Sequence, residues 1–395
     1  MTDPIIIAGA GPAGSVTALS LGRAGIPVVL LEKETRLPID LRASTFHPPS
    51  LDMLDELGVA EEMIARGLKV DRYQYRDRRT GDVAEFDMGL ISDLTRHPYR
   101  LQLEQYELTH IIRDRLSDFT HVEQRFGAEV TDVALLDDHV EVTINGGEIL
   151  KTPFLVGADG AGSAVRNALN IGYGGFTYDE KFLVASTPFR FQDVFENLSY
   201  VNYVADPDEW CVILRTDKIW RVLWPTEPDV ADETYLSDPY LQKRLHALHN
   251  KDGDYELGHR TLYRVHQRVA ETYIKGRVAL MGDAAHINNP LGGMGMNGGL
   301  HDAVNLSGKL IDIIQNDADF KSAFALYDRQ RRQIAVQFVQ DHTMKNKELM
   351  ESTDPDVQRK RQKWLMETAA NPVAAKDFVR ERAMIDCLRD SLAVT

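Results

Sequence analysis

The 395-residue chain reads as an α/β protein with a β-rich insertion and a helical C-terminus, on three observations. Asp3 to Lys33 alternates strand, glycine turn, helix and strand. Apolar strand-like runs ending in a glycine–acid turn recur far downstream, at Phe154 to Ala158 before Asp159-Gly160 and at Val278 to Met281 before Gly282-Asp283. Between these two, Phe182 to Pro225 alternates apolar residues with short turns, the pattern of an antiparallel sheet. The α/β unit is therefore expected to be discontinuous, drawing strands from both sides of the insertion.

The N-terminal unit carries the most specific signal. Ile5 to Ile7 is a short β-branched run, the mark of a buried parallel strand, and Val28 to Leu31 is a second. Gly9, Gly11 and Gly14 fill G-x-G-x-x-G around Pro12 and Ala13, and Val16, Leu19, Ser20 and Arg23 follow at helical spacing. Gly9 allows the tight turn, Gly11 lets backbone approach a pyrophosphate, and Gly14 lets helix and strand pack closely. The helix N-terminus offers unpaired N–H groups and a positive dipole end to that pyrophosphate. Glu32, followed by Lys33, closes the second strand where a ribose hydroxyl would be bound. The unit reads as a dinucleotide site, and which dinucleotide stays open at this point.

Composition narrows the partners. The length suggests roughly two to three domains, and 43% hydrophobic residues suffice for a sizeable core. A net charge of −15 argues against a nucleic-acid surface, which needs clustered cations. Cys211 and Cys387, the only two cysteines, give neither a disulfide framework nor a metal-ligand spacing. No apolar run approaches the ~18 residues that span a bilayer. A core strand begins at the N-terminus with no room for a signal peptide, so a cytoplasmic protein is expected.

Further elements follow in order. Thr35 to Pro49 is a polar connection containing Arg42, Ser44, Thr45 and His47; Pro48 to Leu57 and Met63 to Leu68 have helical periodicity. Tyr73 and Tyr75 lead through Arg78-Arg79-Thr80-Gly81-Asp82 to Val83 and Phe86, a hairpin whose arginines at 72, 76, 78 and 79 read either as a nucleotide-phosphate contact or as a solvated face. Glu104 to Leu116 is a helix; Phe126 to Leu136 and Val140 to Ile144 form a meander. Gly172 to Asp179, rich in glycine and tyrosine, is expected as a domain crossover. Asp238 to Leu248 is helical, Leu262 to Val269 a strand, and Asp302 to Ile314, Phe320 to Leu349 and the C-terminal portion are helices.

Two distant clusters complete the N-terminal motif. One is Asp159-Gly160-Ala161-Gly162-Ser163-Ala164-Val165-Arg166. The other runs from Gly282-Asp283-Ala284-Ala285-His286 through Pro290-Leu291-Gly292-Gly293-Met294-Gly295-Met296-Asn297 to Asp302-Ala303. With these three motifs in order, the chain resembles the single-component FAD-dependent aromatic hydroxylases, the p-hydroxybenzoate hydroxylase class, from the N-terminus to about Arg332. The resemblance implies a Rossmann-like FAD-binding domain of three layers with an inserted antiparallel β-sheet substrate domain and C-terminal helices. The expected division is 1–71, 101–175 and 270–345 for the FAD-binding domain, 72–100 and 176–269 for the substrate domain, and 346–395 for a helical segment.

The resemblance also implies residue roles. Asp283 would bind a ribityl or ribose hydroxyl, and Asp159 and Gly160 would support the pyrophosphate region, where the other reading of Asp159 is a helix cap without a ligand. Arg42 would reach the FAD phosphates or adenine side, and Gln105 the FAD chain, with Gln102 a rival. Val130 would offer backbone to the adenine end. Pro290, Gly292, Gly293, Gly295, Met296 and Asn297 would line the isoalloxazine, with a helix starting near Met296-Asn297 aimed at the flavin N1 and C2 carbonyl, where reduced flavin is negative. His47 lies in the loop that passes near flavin and substrate; it reads as an acceptor of a phenolic proton or as a loop-capping histidine. His286 and His301 read as structural.

The activity so implied is an NADPH- or NADH-consuming monooxygenase that hydroxylates a small phenolic or heteroaromatic substrate through a flavin 4a-hydroperoxide, with molecular oxygen as co-substrate. A flavin oxidoreductase without oxygen insertion and a non-catalytic flavin-binding protein are the alternatives. No nucleic acid, membrane span or metal is expected, and a homodimer is compatible with the sequence.

Overall fold

Ile5–Ala8, Leu155–Gly157 and Val278–Leu280 are buried along their whole length and lie side by side as parallel strands. Each fully buried isoleucine or valine there contributes roughly 1.5–3 kcal/mol. In the computed structural model, which describes residues 3–395 other than Asp40, Arg42 and Pro207, these strands centre a six-stranded sheet. Its order is Ile274–Lys275, Val278–Leu280, Leu155–Gly157, Ile5–Ala8, Val28–Glu32, Val122–Phe126. Helices α1 (Pro12–Arg23), α2 (Gln105–Leu116) and α3 (Met294–Gln315) pack together, with α1 against both others. From Ile5–Ala8 the chain moves through α1 to Val28–Glu32 on one side and later returns to Leu155–Gly157 on the other. The crevice beyond the carboxyl ends of those strands is a topological switch point, where α/β sheets bind ligands.

The meander forms a three-stranded antiparallel sheet of Val130–Leu135, Val140–Ile144 and Glu148–Thr152, whereas Phe126 ends a strand of the central sheet. A second small sheet pairs Arg100–Gln102 with Thr45–Phe46 on one side and Leu68–Val70 on the other.

The inserted sheet has eight strands: His286–Ile287, Arg260–Ala270, Tyr173–Thr187, Trp220–Pro225, Cys211–Arg215, Val201–Ala205, Arg72–Asp77 and Val83–Asp87. It is antiparallel except where Val201–Ala205 runs parallel to Arg72–Asp77, so the sheet is mixed rather than wholly antiparallel. The segment expected as a crossover is the first half of the 15-residue strand Tyr173–Thr187. Gly175 sits there at φ +132°, where a Cβ would overlap the Gln267 carbonyl, and the pairing shifts between Thr177 and Lys181. Alternation sorts the two faces. Phe182, Val212 and Leu223 pack with Leu291 and with Leu365, Phe378 and Val379 of the C-terminal helices. Leu183, Ile213, Trp220 and Trp224 pack instead against Leu241 and Leu245 of the helix Asp238–Leu248.

The single helix expected over Phe320 to Leu349 is two, Phe320–Ile334 and Asp341–Glu351, joined by a π-helical turn at Ala335–Gln340. No helix among the described residues is long and apolar enough to cross a membrane.

Candidate active site

The three glycine–acid turns stand at the carboxyl ends of three neighbouring parallel strands, so residues far apart in sequence meet. Gly9, at φ +100°, approaches Ala158 so closely that a Cβ would overlap the Ala158 carbonyl. A Cβ on Gly14 would overlap the Gly9 carbonyl oxygen, and Gly282, at φ +54°, lies against the Ala13 methyl. Gly11 is the exception. A Cβ there would find nothing within 4 Å, and Gly11 caps α1 with no side-chain hydrogen bond, with Pro12 in the first turn. Open space beside an uncapped helix N-terminus fits a diphosphate.

Glu32 accepts hydrogen bonds from the Ala10 N–H (3.0 Å) and the Glu34 N–H (3.0 Å), which fixes it at the rim of this cradle. Lys33 beside it is exposed. The Ala128 N–H donates to the Glu32 carbonyl at 2.8 Å, bringing the start of the strand with buried Val130 to the same end. Asp159 is occupied locally: Ser163 Oγ donates to it at 2.5 Å and the Val165 N–H at 3.1 Å. Burial raises its carboxyl above the usual range, and these bonds pull it back. Gly160 follows at φ +80° with open space beside it. The exposed Asp283 receives at its carbonyl the Tyr173 hydroxyl, 2.9 Å away.

The glycine loop turns through left-handed backbone at Gly292 (φ +100°) and Gly293 (φ +68°), and α3 starts at Met294, earlier than expected. Gly293 caps α3 without a side-chain bond, so a second helix N-terminus is open to a ligand. Pro290, Gly295 and Met296 are half-buried on this loop and first turn. Asn297 is fully buried and turned inward: its Oδ1 accepts from the His47 N–H (2.9 Å), and its Nδ2 donates to the carbonyls of Thr45 (2.8 Å) and Gly293 (2.7 Å). Its side chain is thus a clamp between the His47 loop and α3.

His47 is fully buried, and its Nε2 lies 2.8 Å from the Gly292 carbonyl. A carbonyl only accepts, so Nε2 carries the proton and Nδ1 presents a lone pair, which has no hydrogen-bond partner. Burial, with the Arg100 charge second, pushes His47 down to about 3, so it is neutral near pH 7. His286 and His301 are buried elsewhere: His286 Nε2 lies 2.7 Å from Asp302, and His301 Nε2 lies 3.3 Å from Ser50 Oγ. Asp302 also accepts from the Gly282 N–H (3.1 Å) and from Arg331 Nε (2.6 Å), tying the Gly282-Asp283 turn to α3 and to Phe320–Ile334.

Of the rival glutamines, Gln102 is fully buried and pairs with Thr45 Oγ1 at 3.0 Å. Gln105 is half-buried in the first turn of α2, and its side chain has no hydrogen bond among the described residues. Arg42 lies outside the described residues. The hairpin arginines are engaged in the inserted sheet, Arg72 with Glu85, Arg76 with Gln74, Arg78 with Asp206 and Arg79 with Asp208. Sequence reasoning missed Arg100. The register that pairs Phe46 with Leu101, extended by one residue, sets Arg100 opposite His47.

A family model described as FAD binding domain matches residues 2–342. The chain belongs to the FAD-dependent aromatic hydroxylases. Among its relatives of this family, para-nitrophenol 4-monooxygenase of Pseudomonas sp. strain WBC-3 is 33% identical, over 89% of this chain and 88% of that one. A 6-hydroxy-3-succinoylpyridine 3-monooxygenase of Pseudomonas putida S16 is 32% identical over 88% of each. The crystal structure of p-nitrophenol 4-monooxygenase from Pseudomonas putida DLL-E4 superposes with a TM-score of 0.91 at 29% identity, over 98% of both chains. This hydroxylase is an FAD-dependent monooxygenase of aromatic compounds, with oxygen as co-substrate.

Proposed function

We propose that the protein hydroxylates a small phenol or hydroxypyridine, with NADPH or NADH as the electron source. The observation that carries this reading is the buried, neutral His47 held against the Gly292 carbonyl at the open start of α3. Relatives named for para-nitrophenol and for a hydroxypyridine support the substrate class.

In this reading the turn Gly9, Gly11, Pro12, Ala13 and Gly14 receives the diphosphate, while Glu32, Lys33 and Val130 border the adenosine. Gln105, Asp159, Gly160 and Asp283 border the chain between. Pro290, Gly292, Gly293, Gly295 and Met296 border the ring system, and Asn297 supports it from behind. When bound and reduced, FAD supplies the activated oxygen. The positive end of α3 stabilises negative charge brought to its N-terminus. His47 Nδ1 accepts the substrate's hydroxyl proton: the O–H bond breaks, an N–H bond forms, and the ring gains electron density. The apolar cluster of Leu291, Phe182, Val212 and Leu223 keeps water from the ring.

The domain division 1–71, 101–175 and 270–345; 72–100 and 176–269; 346–395 belongs to the same proposal, supported by the separate memberships of the six- and eight-stranded sheets. A homodimer is supported by exposed Trp364, Met366 and Val373 on neighbouring C-terminal helices, and light scattering reads it directly. A cytoplasmic setting, which supplies reduced nicotinamide, completes the reading.

The test is to load the protein with FAD and follow NADH and NADPH oxidation with phenols and hydroxypyridines. Substrate-stimulated oxidation with a new hydroxyl in the product is expected. Stimulation without oxygen in the product would make it an oxidoreductase of another kind.

A further inference from the structure

Arg100 is a buried cation whose side chain makes no ion pair or hydrogen bond among the described residues. It is 2% exposed, and its Nε is buried without a partner. Its guanidinium lies 4.3 Å from the centre of the Tyr73 ring. A buried guanidinium without a carboxylate is costly unless something negative completes it. The other buried arginines among the described residues have partners: Arg221 donates to Glu104 at 2.7 Å, Arg331 to Asp302 at 2.6 Å, and Arg166 to the carbonyls of Ala284 and Ala161.

What Arg100 faces narrows the missing group. His47, one residue beyond the last pair of the Phe46–Leu101 register and close enough to feel the Arg100 charge, offers an unpaired lone pair at Nδ1. The other titratable groups around the pair are Tyr73, Tyr75, Tyr203, His301 and Arg382, with no carboxylate among the charges that act on His47 or Tyr73. The pair therefore lacks one group that gives a proton to His47 and is left with negative charge on the same atom. A phenolic oxygen does both. Carboxylates and nitro groups accept but cannot donate to His47, and an ether oxygen neither donates nor ionises.

We propose that Arg100 seats the hydroxyl oxygen of the substrate as its anion and so makes the site select phenols that ionise readily. This rests on the hydroxylase reading above, and it assigns the selection to a residue outside the glycine motifs. Atoms balance without a further reactant: the phenol proton moves to His47 Nδ1, whose basicity rises as an anion forms beside it, and the oxygen keeps the electron pair facing Arg100. The net charge of the site is unchanged.

The test uses the FAD-loaded protein without nicotinamide and 4-nitrophenol as the probe, whose phenolate is yellow and whose phenol is not. At a pH where the free probe is mostly phenol, the wild type is expected to bind it as phenolate. Arg100→Met should weaken binding roughly tenfold to a hundredfold and return the bound probe to its phenol spectrum, and Arg100→Lys should restore part of both. The retained flavin spectrum of each variant reports its fold. Unchanged affinity and colour in Arg100→Met would overturn the proposal. So would lost FAD affinity with an unchanged probe response, which would assign the cation to the cofactor. Should the variants not fold, the wild type still decides, because 4-nitroanisole binding as tightly as 4-nitrophenol overturns it too. Stimulated NAD(P)H oxidation by the same probe tests the hydroxylase reading separately; a probe that neither binds nor stimulates overturns both.

Discussion

Asn297 holds His47 by its backbone, accepting the His47 N–H at 2.9 Å while its own amide reaches Thr45 and Gly293. A residue read as a cofactor contact is thus the clamp that fixes the distance between the histidine and the start of α3. Asn297→Ala removes three hydrogen bonds, one buried and two partly buried, each with a net value of about 1 kcal/mol. A loss of about 2–4 kcal/mol in stability is expected, read from the urea midpoint. In the loaded enzyme, less hydroxylated product per NAD(P)H consumed is expected.

The glycines of the first turn should separate by experiment. Gly14→Ala drives a methyl into the Gly9 carbonyl and is expected to prevent folding. Gly11→Ala meets no atom within 4 Å and adopts its φ of −67° without strain. It should melt within about 0.5 kcal/mol of wild type without cofactor and yet bind FAD much more weakly, because the methyl occupies the space left for the diphosphate. Thermal melts and a fluorescence titration with FAD measure the two halves. Tight FAD binding by Gly11→Ala would place the diphosphate elsewhere.

Acid should weaken the cofactor-free fold through His47 and His301, both held down to about 3 chiefly by burial. Because the folded-state value is lowered, the unfolded chain takes up the proton first as pH falls. Stability is full above the ordinary histidine value of 6.5 and is lost progressively toward about 3. Each histidine contributes a slope of about 1.4 kcal/mol per pH unit at most. Urea midpoints between about pH 7 and pH 5 should fall, and His47→Gln with His301→Gln should flatten the trend.

Asp302 is the buried junction of four elements, binding His286, Arg331 and the Gly282 N–H. Asp302→Ala leaves Arg331 buried and unpaired, a loss of about 3–5 kcal/mol. It also frees the Gly282-Asp283 turn, so FAD retention should fall with stability. Calorimetry and the flavin content after gel filtration are the measurements.

The parts of this molecule legible in sequence are those whose signal is local. Gly9 to Gly14 and Gly282-Asp283 carry their turn chemistry in adjacent residues, and Ile5 to Ile7 announces a buried strand. Arg100 announces nothing, because its meaning comes from pairing with a loop more than fifty positions earlier in the chain. Gln102, weighed as a rival to Gln105, shows its Thr45 partner only once the strands are paired. The parallel pairing of Val201–Ala205 with Arg72–Asp77 is equally nonlocal. The crossover expected at Gly172 to Asp179 does not announce its form: it is the first half of a long strand, in which Gly175 serves close backbone approach.

That strand has a mechanical consequence. One end reaches the Gly282-Asp283 turn, where the Tyr173 hydroxyl meets the Asp283 carbonyl, and the other lies deep in the eight-stranded sheet; the strand pairs along most of its length with Arg260–Ala270. Two long strands laced together behave as a girder. In the proposed reading, the wall beside the substrate and the turn beside the cofactor are thus mounted on one beam, whose register shifts between Thr177 and Lys181. Any rocking of wall against turn has to flex there, so the stiffness of those few residues sets how faithfully the two halves of the site keep their spacing.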